Sequence, residues 1–237
     1  MNQVDAWLKR AHQRIAAALW PPRCILCGRI GQGLDVDLCA PCEADLPFNA
    51  VRCGICSAPL ARSARSICGA CLRRTPLFDA SCIPFQFAYP IDHMVRRLKY
   101  GGVIAMGRVL GELFARRMHA ESLPKLLLPV PLAHRRFRER GYNQAIVLAE
   151  HIHMNARIAL RTDVLVRTRE TQMQAGLDQL ARRRNIHDAF EVVTALPATH
   201  VAILDDVVTT GSTANEIARV LKQAGAQRVD VWAIARA

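Results

Sequence analysis

Long apolar runs are missing from this chain of 237 residues. The longest, such as Leu126–Leu132, fall far short of the roughly 20 residues that a membrane-spanning helix needs. A secretory signal is missing too, because Asp5, Lys9, Arg10 and Arg14 interrupt the opening segment where an uninterrupted apolar core would be required. The chain is therefore expected to be soluble and cytoplasmic, with no membrane span. Aromatic residues make up only 5%, too few to carry an extended base-stacking surface by themselves. No Gly-x-x-x-x-Gly-Lys-Ser/Thr sequence occurs, so a P-loop ATPase is unsupported, and no Gly-x-Gly-x-x-Gly occurs either. Cysteine all but vanishes after residue 71, since the last 166 residues hold Cys82 alone. What the chain does have is a 51% hydrophobic fraction with 22% charged residues, which supplies a packed core and excludes wholesale disorder.

The other eight cysteines form four Cys-x-x-Cys pairs. Eleven residues separate Cys24-x-x-Cys27 from Cys39-x-x-Cys42, and eleven separate Cys53-x-x-Cys56 from Cys68-x-x-Cys71. Four regular pairs without an export signal argue against a disulfide framework, and free or redox-active thiols are the plainer alternative to metal. Zinc takes four ligands at tetrahedral angles, and a Cys-x-x-Cys turn offers two thiolates on one side of the ion. The equal intervals predict two zinc ribbons in tandem: Cys24, Cys27, Cys39 and Cys42 close one site, and Cys53, Cys56, Cys68 and Cys71 the other. A cross-brace linking first with third pair and second with fourth is the competing arrangement. Four cysteines leave no position for water, so both sites are structural. Cys82 is expected to be a buried strand cysteine.

Composition divides the chain into an amphipathic helix within residues 1–22, a double zinc ribbon over 23–78 and a larger domain over 79–237. Strands and helices alternate in the last. The patterns predict a strand over Ser81–Ala88, helices over Ile91–Tyr100 and Ile104–Met118, a strand over Leu126–Val130, then a basic loop. A helix from near Asn143 to His153, a strand over Val164–Arg167, a helix over Gln179–Ala189 and an aliphatic strand over Val201–Leu204 follow. Thr213–Gln223 reads as a helix closed by Gly225, and Arg228–Ala235 as the final strand. Such alternation implies an α/β domain built on a parallel sheet flanked by helices.

The most informative stretch runs from Val201 to Thr213. An aliphatic strand leads to two carboxylates, Asp205 and Asp206, then to a hydroxyl-rich turn that opens a helix. Backbone amides at a helix start attract anions. Thr209, Thr210, Ser212 and Thr213 add hydroxyl donors, and Gly211 lets the backbone approach closely. The plain alternative is a helix cap with extra hydroxyls. Carboxylates repel phosphate but accept from sugar hydroxyls or hold a divalent cation, so the pairing suggests a ribose 5-phosphate.

Leu204–Thr213 resembles the phosphoribosyl-pyrophosphate signature of type I phosphoribosyltransferases. Its setting is similar to the ComF family (competence protein F and GntX-like phosphoribosyltransferase-domain proteins). The paired Cys-x-x-Cys module, Leu98-Lys99-Tyr100, Val130-Pro131-Leu132 with Arg140-Gly141-Tyr142-Asn143-Gln144, and Arg182-x-x-Asn185 with Ala189-Phe190 carry the same resemblance. It implies a type I phosphoribosyltransferase fold behind an N-terminal double zinc ribbon. Asp205 and Asp206 would meet the ribose hydroxyls, and Thr209, Thr210, Gly211, Ser212 and Thr213 would hold the 5-phosphate. The turn starting near Leu132 takes the place of the pyrophosphate loop, and Arg167–Ala175 that of the closing loop. Magnesium is the expected partner of the diphosphate, and a part in uptake or use of external DNA, with a DNA-uptake partner protein, follows from the family.

The formal charge is +12, and zinc-bound thiolates would lower it to about +8. Residues 80–154 hold eleven basic residues against five acidic ones. His134–Arg140 is the densest run, Arg182–Arg184 a second, and Arg96, Arg97 and Lys99 a third. A solvated basic face is the plain explanation. Arg135 and Arg140 are placed to meet the polyphosphate. Single-stranded DNA along the clusters, with Tyr100, Phe137 and Tyr142 beside them, is the competing one, in which the ribose-phosphate site is regulatory rather than catalytic.

Overall fold

The computed structural model describes residues 23–30, 37–61, 66–118, 123–169 and 186–237. The amphipathic helix expected at the start, residues 170–175 of the expected closing loop, most of the expected helix over 179–189, and Arg182–Arg184 with Asn185 lie outside these residues. The described residues fall into two compact units, divided between Leu46 and Pro47.

Each cysteine half repeats one local design. In the first unit Arg23 and Ile30 form an antiparallel bridge around the first Cys-x-x-Cys turn. Gly28, at φ +73°, donates its N–H to the Cys24 carbonyl at 2.8 Å. Cys39 then precedes a short helix, α1 (Ala40–Ala44), with proline in its first turn. In the second unit Arg52 bridges Pro59, and Ser57, at φ +53°, donates to the Cys53 carbonyl at 3.0 Å. Cys68 precedes α2 (Gly69–Arg73). Identical cysteine spacing thus yields the same knuckle followed by the same short helix.

The rest of the second unit is built on a six-stranded parallel sheet. Its strands are β1 (Ala80–Cys82), β2 (Phe85–Gln86), β3 (Leu126–Pro129), β4 (Ala159–Leu160), β7 (His200–Val208) and β8 (Arg228–Arg236). They lie in the order β1–β8–β7–β3–β4, with β2 also paired to β8. The strand expected over 81–88 is split by Ile83 and Pro84. Val164–Arg167 does not join the sheet. Instead β5 (Leu165–Arg167) pairs antiparallel with β6 (Phe190–Val192) in a two-stranded ribbon. Alternation along the central strands feeds two cores. Leu126, Leu128, Val201, Ile203, Val229 and Val231 pack with Ile217, Ala218 and Leu221 of helix α7 (Ser212–Gln223). On the other face Trp232 meets Phe114 at a ring separation of 5.4 Å.

That second face is covered by α3 (Ile91–Tyr100), α4 (Ala105–Arg117) and α6 (Gln144–Ala156). Gly107 and Gly111 let α4 approach α6 closely, because a Cβ there would meet Val147 at 2.5 Å and His151 at 2.8 Å. The segment expected to be a basic loop is instead a helix, α5 (His134–Arg140). Arg135 pairs with Glu139 one turn on, at 2.9 Å, and Gly141 ends the helix in the left-handed conformation at φ +83°, where its N–H meets the Phe137 carbonyl at 2.7 Å.

Candidate functional site

Each cysteine half closes on itself. The four sulfurs of Cys24, Cys27, Cys39 and Cys42 lie within 4.8 Å of one another, as do those of Cys53, Cys56, Cys68 and Cys71. Local pairing is the arrangement formed, not the cross-brace. Burial pushes the Cys53 thiol up, but backbone hydrogen bonds from Cys56, Cys68 and Ile55 outweigh it and bring it to about 6. Cys24 behaves alike: burial raises it, while backbone bonds from Cys39, Cys27 and Leu26 hold it near 6. Cys42 and Cys71 are pushed up, by burial first and then by hydrogen bonds to their neighbouring thiols. Four thiols this close cannot all ionise without a cation between them. The donor set fits zinc, with backbone N–H groups aimed at sulfur, as from Cys68 to the Cys53 Sγ at 3.3 Å.

His187, Asp188 and Glu216 also bring possible ligand atoms within 4.8 Å of one another. Arg219 already fills that place, with Nη2 at 2.7 Å from Asp188 Oδ1 and 2.5 Å from Glu216 Oε1. Burial raises the Glu216 carboxyl, yet the Arg219 hydrogen bonds turn the net shift downward. This is an ion-pair network.

A cleft of about 460 Å³ opens at the carboxyl end of the sheet, the usual ligand side of an open parallel α/β sheet. One wall is the end of β7 with the turn into α7. The acid pair is part of the strand, which runs four residues beyond the expected end at Leu204: Asp205 pairs in register with Ala233 and the ladder continues to Val208. Each acid has one oxygen committed to the backbone. Asp206 N–H donates to Asp205 Oδ1 at 2.8 Å, and Val207 N–H to Asp206 Oδ1 at 2.7 Å. Asp206 is 3% exposed, and its Oδ2 lies 2.7 Å from Lys99 Nζ. Burial, and then the neighbouring Asp206 charge, push the Asp205 carboxyl up to about 7 against the opposing pull of Lys99.

Next in the chain, Gly211 adopts φ +75°, a conformation that disfavours any side chain. It turns the backbone so that α7 starts at Ser212. Thr210 Oγ1 and Ser212 Oγ share a hydrogen bond at 2.8 Å. Thr209, Thr210, Gly211, Ser212 and Thr213 all line the cleft with Asp205 and Asp206. A second cavity of about 250 Å³ shares Thr210, Gly211 and Ser212 and reaches Cys56, Cys68 and Cys71.

Lys99, Tyr100, Arg136, Gln144 and Arg167 contribute to the cleft lining, together with the Val130–Ala133 turn. Asn143 fixes that turn: its Nδ2 donates to the Val130 carbonyl at 3.0 Å while its Oδ1 caps α6. Neither arginine singled out from the sequence is among the lining residues. Arg135 pairs with Glu139 with its side chain 74% exposed. Arg140 donates to Gln144 and lies over the Tyr100 ring at 5.5 Å, next to two cleft residues. Arg136 is the arginine of α5 that reaches the cleft, and reading 134–140 as a helix would have put it on one face with Arg140, four residues on.

A double zinc ribbon domain matches residues 15–82. Competence protein F of Haemophilus influenzae is 34% identical over 227 residues, which cover 91% of this chain and 97% of that protein. The chain belongs to the competence protein F family. DNA utilization protein YhgH of Escherichia coli O157:H7 is 32% identical over 84% of this chain and 90% of its own length, and that of Shigella flexneri 31% over the same shares. Among solved structures, a Bacillus subtilis glutamine phosphoribosylpyrophosphate amidotransferase aligns over 54% of this family member and 25% of that chain, at 20% identity and a TM-score of 0.34. A hypoxanthine phosphoribosyltransferase from Staphylococcus aureus aligns over 57% and 64%, at 11% and 0.31. Among the described residues no helix is long and apolar enough to cross a membrane.

Proposed function

We propose that the cleft binds phosphoribosyl pyrophosphate, or a related ribose 5-phosphate, with magnesium, and that this phosphoribosyltransferase-type site serves DNA uptake and utilization. The observation that carries the proposal is the sharing of one cleft by two unlike groups. Asp205 and Asp206 are acceptors for a sugar diol, and Thr209–Thr213 is a donor turn at a helix start. A bare anion would suit the turn and be repelled by the acids, whereas a sugar phosphate suits both. The names of the relatives support the link to DNA.

Displacement of diphosphate from C1 of the ribose passes through an oxocarbenium-like state related to that of glycoside hydrolysis. No protein nucleophile is required. The acids would orient the ring through its hydroxyls, the turn would fix the 5-phosphate, and Arg136 and Arg167 would attract the diphosphate. Magnesium, when bound, would neutralise diphosphate oxygens. Calorimetric titration with phosphoribosyl pyrophosphate and magnesium is expected to give a saturable signal that disappears in a folded Asp205→Asn/Asp206→Asn variant. No signal from the wild type would overturn the reading.

A second reading rests on α5, which presents Arg135, Arg136 and Arg138 beside Phe137, 46% exposed, with Tyr100, 78% exposed, at the cleft. These groups suit single-stranded DNA, the cleft then serving as a regulatory site. Affinity for an oligonucleotide should fall steeply with salt and weaken in Arg135→Ala/Arg136→Ala. Binding indifferent to salt would count against it.

A further inference from the structure

Lys99 stands out among the cleft cations because it is already engaged with the acid pair. Its Nζ lies 2.7 Å from Asp206 Oδ2, the oxygen left over after Oδ1 has accepted the Val207 N–H. A ribose hydroxyl approaching that oxygen must compete with the ammonium. Lys99 sits in the last turn of α3, whose Leu98 carbonyl accepts the Tyr142 hydroxyl, so the helix that carries it is tied to the chain leading into α6. The side chain itself is a compact charge on a flexible stem, able to redirect its donors without moving the backbone.

We propose that Lys99 is a displaceable counter-ion: it neutralises Asp206 while the cleft is free of ligand, and swings to the diphosphate when a ribose diol takes its place on the acids. The proposal rests on the phosphoribosyl reading of the cleft and adds the exchange of partners within it. Without ligand, Lys99 is held against Asp206 in a cleft that Arg136 and Arg167 also line. Once sugar hydroxyls cover the acids, the released ammonium adds to the arginine field at the end of the cleft where negative charge accumulates. The acids thus keep a cation in reserve for the leaving group.

This exchange predicts opposite responses to two ligands. Ribose 5-phosphate carries the diol and the 5-phosphate but no diphosphate, so it meets Lys99 only as a competitor. Phosphoribosyl pyrophosphate meets it first as a competitor and then as a partner. In Lys99→Met, affinity for phosphoribosyl pyrophosphate should fall about tenfold or more, the size of one charge-assisted contact, while affinity for ribose 5-phosphate holds or rises. Lys99→Arg, which can grip Asp206 with two donors, should weaken ribose 5-phosphate binding instead.

Calorimetric titration of both ligands against wild type and the two variants, with magnesium throughout, reads the ratio of affinities. Equal loss for both ligands in Lys99→Met would mean that Lys99 only props up the acids, and no loss for either would mean that it has no part. Both outcomes overturn the exchange while leaving the cleft assignment intact; a wild type that binds neither ligand overturns the cleft assignment as well. If Lys99→Met does not fold, protection of Lys99 in the wild type against an amine-acylating reagent, followed by mass spectrometry, is the second measurement. Lys99 should be protected in the free protein, exposed with ribose 5-phosphate and protected again with phosphoribosyl pyrophosphate. Unchanged protection on adding ribose 5-phosphate overturns the proposal.

Discussion

Cys71→Ser is expected to halve the zinc content of the protein and to disable the cleft with it. Cys71 is a buried member of the second cluster, and that cluster belongs to the same compact unit as the sheet. Arg236, near the end of β8, joins the two. Its Nε donates to the Cys56 carbonyl at 3.2 Å, its Nη1 to the Val208 carbonyl at 2.9 Å, and the same Nη1 to Thr209. Ser81 on β1 adds a peg, donating to the Ile55 carbonyl at 2.7 Å. A structural zinc contributes roughly 10–16 kcal/mol to the folding of a small metal module, comparable to the whole stability of an ordinary domain. Losing one thiolate should therefore lower the melting temperature of the larger unit on the order of 10 °C and weaken sugar-phosphate binding. Cys42→Ser makes the control, since its cluster lies in the other unit: it should lose one zinc equally and leave ligand affinity in place. Zinc content, thermal unfolding and calorimetry on both variants decide the matter. Equal loss of affinity in the two would refute the coupling.

Asp205→Asn should make the protein more stable at pH 8 while destroying ligand binding. The Asp205 carboxyl, ordinarily near 3.8, is raised to about 7 by burial and by Asp206. Between those values the folded chain holds a proton that the unfolded chain has lost, so stability falls as pH rises through that window. Above pH 7 the whole penalty is present, and asparagine removes it. The expected gain at pH 8 is on the order of 1–3 kcal/mol, shrinking to nothing near pH 4. Thermal unfolding of wild type and variant across pH measures the difference. A gain that is the same at pH 4 and pH 8 would show that the carboxylate charge is not its cause. Sites that trade stability for binding are expected to respond in this direction.

How much of this was legible in the sequence differs from element to element. Helix α3 was readable to the residue, because its apolar stripe repeats at helical spacing and Gly101 follows Tyr100 directly. The metal clusters were legible because ligand spacing is itself the chemistry. Other features depend on partners distant in the chain. Strand β7 extends through Asp205 and Asp206, against their low strand preference, because β8 pairs alongside. Strand β5 reads like a strand of the sheet, yet its partner is β6, and a three-residue pattern carries no information about which neighbour it will find. Helix α5 was hidden by its charge: without an apolar stripe, its remaining signal was Gly141 just past Arg140. That omission also hid Arg136, which lines the cleft one helical turn before Arg140.

The pairing of β1 and β2 with β8 has a consequence for how the molecule comes into being during synthesis. Asp79 already reaches across about 150 positions of chain, accepting the Val229 N–H at 2.8 Å. On a ribosome, both sets of four cysteines emerge long before Arg228 does and can take up metal while the strands beside them wait. The acid-bearing strand has β3 as a neighbour from the moment it appears, but gains its other one only with β8. The protein would therefore pass through a period in which it is already metallated and not yet able to bind its ligand, with the β1 edge open to stray pairing.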